Sequence, residues 1–323
     1  MTFRRRCALP LVLGLLVAWG CAEQVDTPEV VETPEVADDA PPPATDLYAI
    51  ELAPGDDGLP RPGTVRNLTG RPNLYDNQPY FLPGGGELVY TAGRADGGTD
   101  IHRLDLDSGA STPLMLTDPE NEYSPTPLAD GSLAVVRVES DGSTQRLWRF
   151  EIDADEVEGD RAELLLPDME PVGYQAWLDA DRVALFILGS PASLHLAEVG
   201  TDWSQLVFEG IGSSLRAIPG EEAVSFVEMG DEGRSWIRRL DGTTGSTTRI
   251  VETRDGGVEH AWTPDGVLIM AAGREFLAHR PGVDEGWVSL GEAGPEGIEW
   301  SRIAVSPGGD LMVVVGLDAS GGS

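Results

Sequence analysis

The chain has 323 residues, is 41% hydrophobic, and carries 55 acidic residues against 22 basic ones, for a formal charge of −33. All 22 basic residues are arginine, which excludes a Schiff-base lysine and the lysine of a phosphate-binding P-loop. So acidic a body argues against nucleic-acid partners and against direct docking on an anionic bilayer.

The first element in chain order is "MTFRRRCALPLVLGLLVAWGC". Arg4, Arg5 and Arg6 form a basic start, and Ala8 to Ala18 form an apolar run too short to remain as a membrane-spanning helix. This pattern reads as an export signal over residues 1–20. It resembles a bacterial lipoprotein signal, with Gly20 immediately before Cys21; that resemblance implies lipidation of Cys21. Ala22 after it is similar to the outer-membrane sorting pattern of some bacteria. The alternative is an ordinary secretory signal cut after Ala18-Trp19-Gly20, which would leave a secreted or periplasmic protein. Cys7 would leave with the signal, so the exported chain has no disulfide to form.

From Cys21 to Asp46 the chain is acidic and rich in proline, with no basic residue and no apolar period. Such a segment does not bury enough surface to fold, and it is expected to act as a disordered stalk spanning about 25–30 Å.

Beyond it, six stretches align: "PYFLPGGGELVY", "PTPLADGSLAVV", "QAWLDADRVALF", "LRAIPGEEAVSF", "HAWTPDGVLIMA" and "IAVSPGGDLMVV". Each is an extended run, a turn and a second, β-branched run. The turns start at Pro83, Ala129, Asp179, Pro219, Pro264 and Pro307, at the period of propeller blades, roughly 40–50 residues. Two more extended runs follow each of the first five units. The sixth stops after two, and the missing pair stands at the front as "LYAIEL" and "TVRNLT". A ring must close or leave two sheet edges open. The expectation is therefore an all-β fold over residues 47–323: a six-bladed β-propeller of four-stranded blades, closed by pairing the N- and C-terminal half-blades. The units, "WTPDGVLIM" above all, resemble the TolB-like or WD-like repeat of bacterial exported proteins. That resemblance implies the propeller fold and is poorly specific for function.

Enzymatic signatures are absent from the sequence: there is no G-x-S-x-G, H-E-x-x-H or C-x-x-C. His102, His195, His260 and His279 are scattered and read as ordinary strand or loop histidines. Asp105-x-Asp107-x-Gly109 reads as a hairpin turn rather than a calcium loop, and Asp153 to Asp160 as a solvated acidic hairpin. No metal and no cofactor is expected. Two residues before each turn lie Phe81, Pro127, Trp177, Ala217, Trp262 and Val305, expected to pack blade against blade. Five residues before each turn lie Gln78, Ser124, Tyr174, Ser214, Glu259 and Arg302, all polar. These six are expected to ring one mouth of the central channel, extended by Asn77, Tyr123 and Trp300, with Arg302 suited to an anionic or carbonyl group. The functional expectation is a monomeric, non-catalytic binding or scaffold module of the bacterial cell envelope. It would be held at the outer membrane by its lipid alone and bind an envelope protein or a small ligand. The alternative is a propeller enzyme, a glycosidase or lyase, using paired carboxylates on one face.

If Cys21 carries the lipid, the Cys21→Ser variant moves from the detergent phase to the aqueous phase on Triton X-114 partitioning. Wild-type protein already in the aqueous phase would refute the anchor.

Overall fold

The computed structural model describes residues 43–152, 162–254 and 257–318. The export signal, Cys21, the stalk up to residue 42 and the Asp153–Asp160 loop lie outside these residues. β1 (Thr45–Pro54) and β2 (Pro60–Asn67) open the chain. The first blade follows as β3 (Asp76–Phe81), β4 (Glu87–Gly93), β5 (Thr99–Asp105) and β6 (Ser111–Pro113). The second is β7 (Asn121–Pro127), β8 (Leu133–Val138), β9 (Gln145–Phe150) and β10 (Ala162–Leu164). The third is β11 (Val172–Trp177), β12 (Arg182–Ile187), β13 (Ser193–Glu198) and β14 (Ser204–Glu209). The fourth is β15 (Ile211–Ala217), β16 (Ala223–Met229), β17 (Ser235–Asp241) and β18 (Thr247–Glu252). The fifth is β19 (His260–Trp262), β20 (Leu268–Ala272), β21 (Glu275–His279) and β22 (Val288–Glu292). β23 (Ile298–Val305) and β24 (Leu311–Asp318) complete the described chain.

The described residues thus form six antiparallel four-stranded sheets, five of them consecutive in sequence and the sixth ordered β2-β1-β24-β23. The second strand of each blade explains why sheets of this kind close into a ring. A strand buried on both faces reads as a continuous apolar run, because its alternating side chains feed two different interfaces. Leu88 packs toward the closing blade and Val89 toward the second blade; Val135 and Val136, and Val313 and Val314, divide in the same way. Six buried clusters result, one at each junction between neighbouring blades.

Closure follows the expected pairing. β1 and β24 are antiparallel neighbours in unbroken register from Thr45↔Leu317 to Glu51↔Leu311. Gly316 is required there: a Cβ would lie 2.6 Å from the Tyr48 ring and 2.9 Å from Ile298. The propeller begins slightly before the expected boundary, with β1 at Thr45. Thr45 and Asp46, read as stalk from their polarity, belong to β1. The Thr45 hydroxyl donates to the Asp76 carbonyl, and the Asp46 carboxylate accepts from Asn67, Thr69 and the Arg71 amide. Four strands per blade fix the direction of every strand. First strands run from one face of the ring to the turns that precede second strands, and β1 starts, and β24 ends, on the face where first strands start.

Deleting residues 47–70 removes the outer half of the closing blade and is expected to give aggregation in size-exclusion chromatography, whereas deleting 22–42 leaves the thermal midpoint unchanged. Ile50→Ala, at a fully buried position of β1, is expected to cost about 2–5 kcal/mol in urea unfolding. A stable monomer from the first deletion would refute closure by β1.

Candidate functional site

The innermost strands are not regular. The ladder to the second strand shifts register between Asn77 and Tyr80, Tyr123 and Thr126, Val172 and Tyr174, Ile211 and Leu215, and Ser301 and Ile303. These irregularities sit at one level of the ring. Gln78, Ser124 and Arg302, which occupy equivalent positions, have φ of 54°, 52° and 21°. Left-handed backbone in residues with a Cβ costs on the order of 1–3 kcal/mol each, and bulges re-aim side chains. Here the re-aimed groups converge on the axis.

Above this level lies an axial cavity of about 440 Å³. Its floor holds Gln78, Ser124, Tyr174, Ser213 and Arg302; its walls include Phe81, Trp177, Leu215, Arg216 and Trp262; its rim carries Pro219, Pro264 and Pro307 of the turns after the first strands. These three prolines are exposed, so the cavity opens on the turn face. Tyr80, 39% exposed, stands on its wall.

Hydrogen bonds tie the floor across blades. The Gln78 side-chain carbonyl accepts from the Thr91 hydroxyl and from the Ser124 amide, 2.7 Å away, and Gln175 Nε2 donates to the Ser124 carbonyl. Arg302, on the closing blade, reaches across the axis to the third blade, where Nη2 donates to the Tyr174 hydroxyl at 2.7 Å and the guanidinium lies 4.6 Å from the ring centroid. Its Nη1 is 3.6 Å from Glu259 Oε1, which also accepts from the Ser213 hydroxyl at 2.8 Å. Burial opposes ionisation of Glu259 most strongly, but the charges of Arg302 and Arg216 and the Ser213 hydrogen bond outweigh it and hold its pKa below the usual range. Burial likewise disfavours the Arg302 cation, but Glu259, Tyr174 and Tyr75 overcome this and raise its pKa. Tyr75 is pushed up by burial, against the pull of Arg302.

Behind the wall is a serine–histidine contact that the sequence did not reveal. His260 Nε2 lies 2.7 Å from Ser225 Oγ, the spacing of a nucleophile and its base. Both residues are fully buried, and Ser225 Oγ also accepts from Trp262 Nε1 at 2.8 Å, so no substrate reaches the hydroxyl. Burial, aided by Arg216, depresses His260 to about 3. The pair is a structural brace between the fourth and fifth blades.

The sequence-derived positions divide. Gln78, Ser124, Tyr174 and Arg302 come together, but on the floor of a cavity that opens at the opposite end from the expected mouth. Glu259 lies behind the floor, in reach of Arg302. Ser214 is fully buried and its hydroxyl accepts the His260 amide. Asn77 is buried and accepts its neighbour's amide. Tyr123 packs on the cluster between the second and third blades. Trp300 is core, edge-on to Tyr48 at 5.2 Å and stacked on Phe276 at 6.2 Å, because the bulge after Ser301 puts it and Arg302 to different sides. The column expected to pack blade against blade does so at Phe81, Trp177, Trp262 and Val305, each against a junction cluster, and together with Ala217 these residues also border the cavity, since the innermost strand is the free edge of its sheet. Arg216 and Ser213 were not anticipated. Asp105 accepts the amide and hydroxyl of Ser108, as in a hairpin turn. Among the described residues, no group of three or more His, Cys, Asp or Glu is placed to hold a metal ion.

No family profile matches the chain, and no curated protein matches its sequence. Its structure is similar to that of a protein assigned as TolB from Agrobacterium tumefaciens, with a TM-score of 0.62 over 84% of this chain and 98% of that one, at 13% identity. The fold is a TolB-like β-propeller. Proteins of other kinds share the TolB-like ring. An oligogalacturonate lyase in complex with manganese matches at 15% identity and TM-score 0.51, over 87% of this chain and 85% of that one. A puromycin-hydrolysing peptidase from Mycobacterium tuberculosis matches at 15% and 0.52, over 80% of this chain but only 46% of the peptidase. At these identities the likeness is one of fold.

The buried neutral His260 sets a pH dependence. Its folded pKa lies below its unfolded value of roughly 6.5, so the unfolded state binds more protons between the two, and stability falls as pH drops from about 7 toward 3. Between pH 7 and pH 5, urea unfolding is expected to lose about 2 kcal/mol more in wild type than in His260→Gln. Parallel pH profiles would show that His260 titrates normally.

Proposed function

We propose that this chain is a non-catalytic binding module of the bacterial cell envelope that takes a protein segment or a small ligand into its axial cavity. The export signal and the TolB-like fold support the location; the lipid on Cys21 and the acidic stalk supply the attachment. The observation that carries the reading is the composition of the cavity. Its size is that of a ligand pocket, its walls are aromatic and proline-rich, and a few polar groups converge at its closed end. Among the described residues, no Asp or Glu lines it. A glycosidase of the usual type needs two carboxylates facing one bond, and Glu259 alone, tied to Arg302 and Ser213, does not provide them. The Ser225–His260 pair is sealed from the cavity, so it cannot serve acyl transfer on a ligand bound there.

A photocrosslinking amino acid placed at Tyr80 on the cavity wall, and separately at Leu206 on the outer strand of the third blade, tests this in cells. Adducts are expected from position 80 and not from 206, and they are expected to disappear when Trp177 and Trp262 are both changed to alanine. Adducts from position 206 alone would place binding on the outer strands.

A further inference from the structure

The axial cavity departs from the charge of the rest of the protein. Acidic residues outnumber basic ones by 55 to 22 over the chain, yet the ionisable groups lining the cavity are two arginines and tyrosines. Arg216 and Arg302 are also the only arginines in the six first strands. Their circumstances differ. Arg302 has a carboxylate, Glu259, beside it. Arg216 has none within ion-pairing distance among the described residues. Its guanidinium donates to three main-chain carbonyls instead, through Nε to His260 at 3.1 Å, Nη1 to Leu215 at 3.1 Å and Nη2 to Ile303 at 3.2 Å. Those bonds fix the group rigidly between the fourth, fifth and closing blades and use three of its five N–H donors. The cation is thus held in place without being neutralised.

A charge removed from water is normally paired. Arg216 on the wall and Arg302 on the floor, set against the single carboxylate of Glu259 behind it, leave the closed end of the cavity with one uncompensated positive charge, in an enclosed site where Coulomb attraction is far stronger than in bulk water. Burial weakens the hold of Arg216 on its proton, against the pull of Glu259, and the Arg302 charge acts in the same sense as burial. Both effects add to the advantage of an arriving anion.

We propose, building on the binding role assigned to this cavity, that it selects a ligand with one carboxylate on an apolar, planar body, the carboxylate seated against Arg216 and Arg302 and the body between Trp177 and Trp262. One net positive charge matches one carboxylate. A dianionic phosphate would overbalance the floor and meet the repulsion of the surrounding acidic protein. The walls leave the carboxylate as the only charged part of the ligand that finds a partner. Arginine also presents the forked donor geometry that a carboxylate accepts.

The test uses the full chain and a matched pair of probes, 4-phenylbutyrate and its neutral amide, 4-phenylbutyramide. Binding is read from the indole N–H signals of Trp177 and Trp262 in ¹H–¹⁵N NMR titrations. The carboxylate is expected to shift both signals and to bind at least about tenfold more tightly than the amide, and added salt is expected to narrow the gap. In Arg216→Gln the preference is expected to fall to about threefold or less; should that variant not fold, the wild-type comparison stands by itself. Equal affinity for the two probes would overturn the anion preference and leave the cavity as a binding site. If neither probe shifts either indole, the cavity is not the binding site and both readings fail. A full preference retained in folded Arg216→Gln would overturn the assignment to Arg216.

Discussion

The pairing of β1 with β24 is the constraint on which the rest of the molecule depends. Each blade is apolar on both faces, so none is stable without a neighbour on either side, and a row of blades has stable ends only when it becomes a ring. One unbroken antiparallel ladder, from Thr45↔Leu317 to Glu51↔Leu311, supplies that condition. It also sets how closely the first strands approach the axis, and hence the width of the cavity they enclose.

The six junctions are not alike. Five are filled by clusters of many buried apolar side chains. The junction between the fourth and fifth blades has only Val227, Ile237 and Leu268 fully buried in its apolar cluster. Toward the axis its place is taken by polar groups: Ser214, Ser225 and His260, all fully buried, with Arg216 bonded to the His260 carbonyl. Buried polar contacts hold only while every partner is in place, which makes them good mounts for a group that must not move. The arginine that faces the cavity is mounted on this seam, and the stability of the seam rests on a histidine that stays neutral.

Much of the architecture was legible because it is a matter of period. The turns at Pro83 through Pro307 recur at blade spacing, and the half unit "SPGGDLMVVV" is completed by "LYAIEL". The level of the cavity floor was also legible, from the polar column of Gln78, Ser124, Tyr174 and Arg302. Its surroundings were not. A bulge is a relation between two strands, and a single run such as "EWSRIAV" does not show that the strand slips between Ser301 and Ile303. Without that slip Trp300 looks like a companion of Arg302; with it, the indole is committed to Tyr48 and Phe276. Arg216 had a signal that was passed over: it is one of only two arginines on first strands, in a chain where such strands otherwise carry none. The end at which the cavity opens depended on side-chain volume at the other end, where Tyr75 and the Arg302–Tyr174 strut crowd the axis.

The direction of β1 has a consequence for how the domain is presented. Thr45 lies on the face where first strands start, and the cavity opens on the face where they finish. Any leash that runs into β1 therefore departs from the underside of the ring. On the proposed reading, a tether through residues before Thr45 and a ligand in the cavity would use opposite faces of the ring.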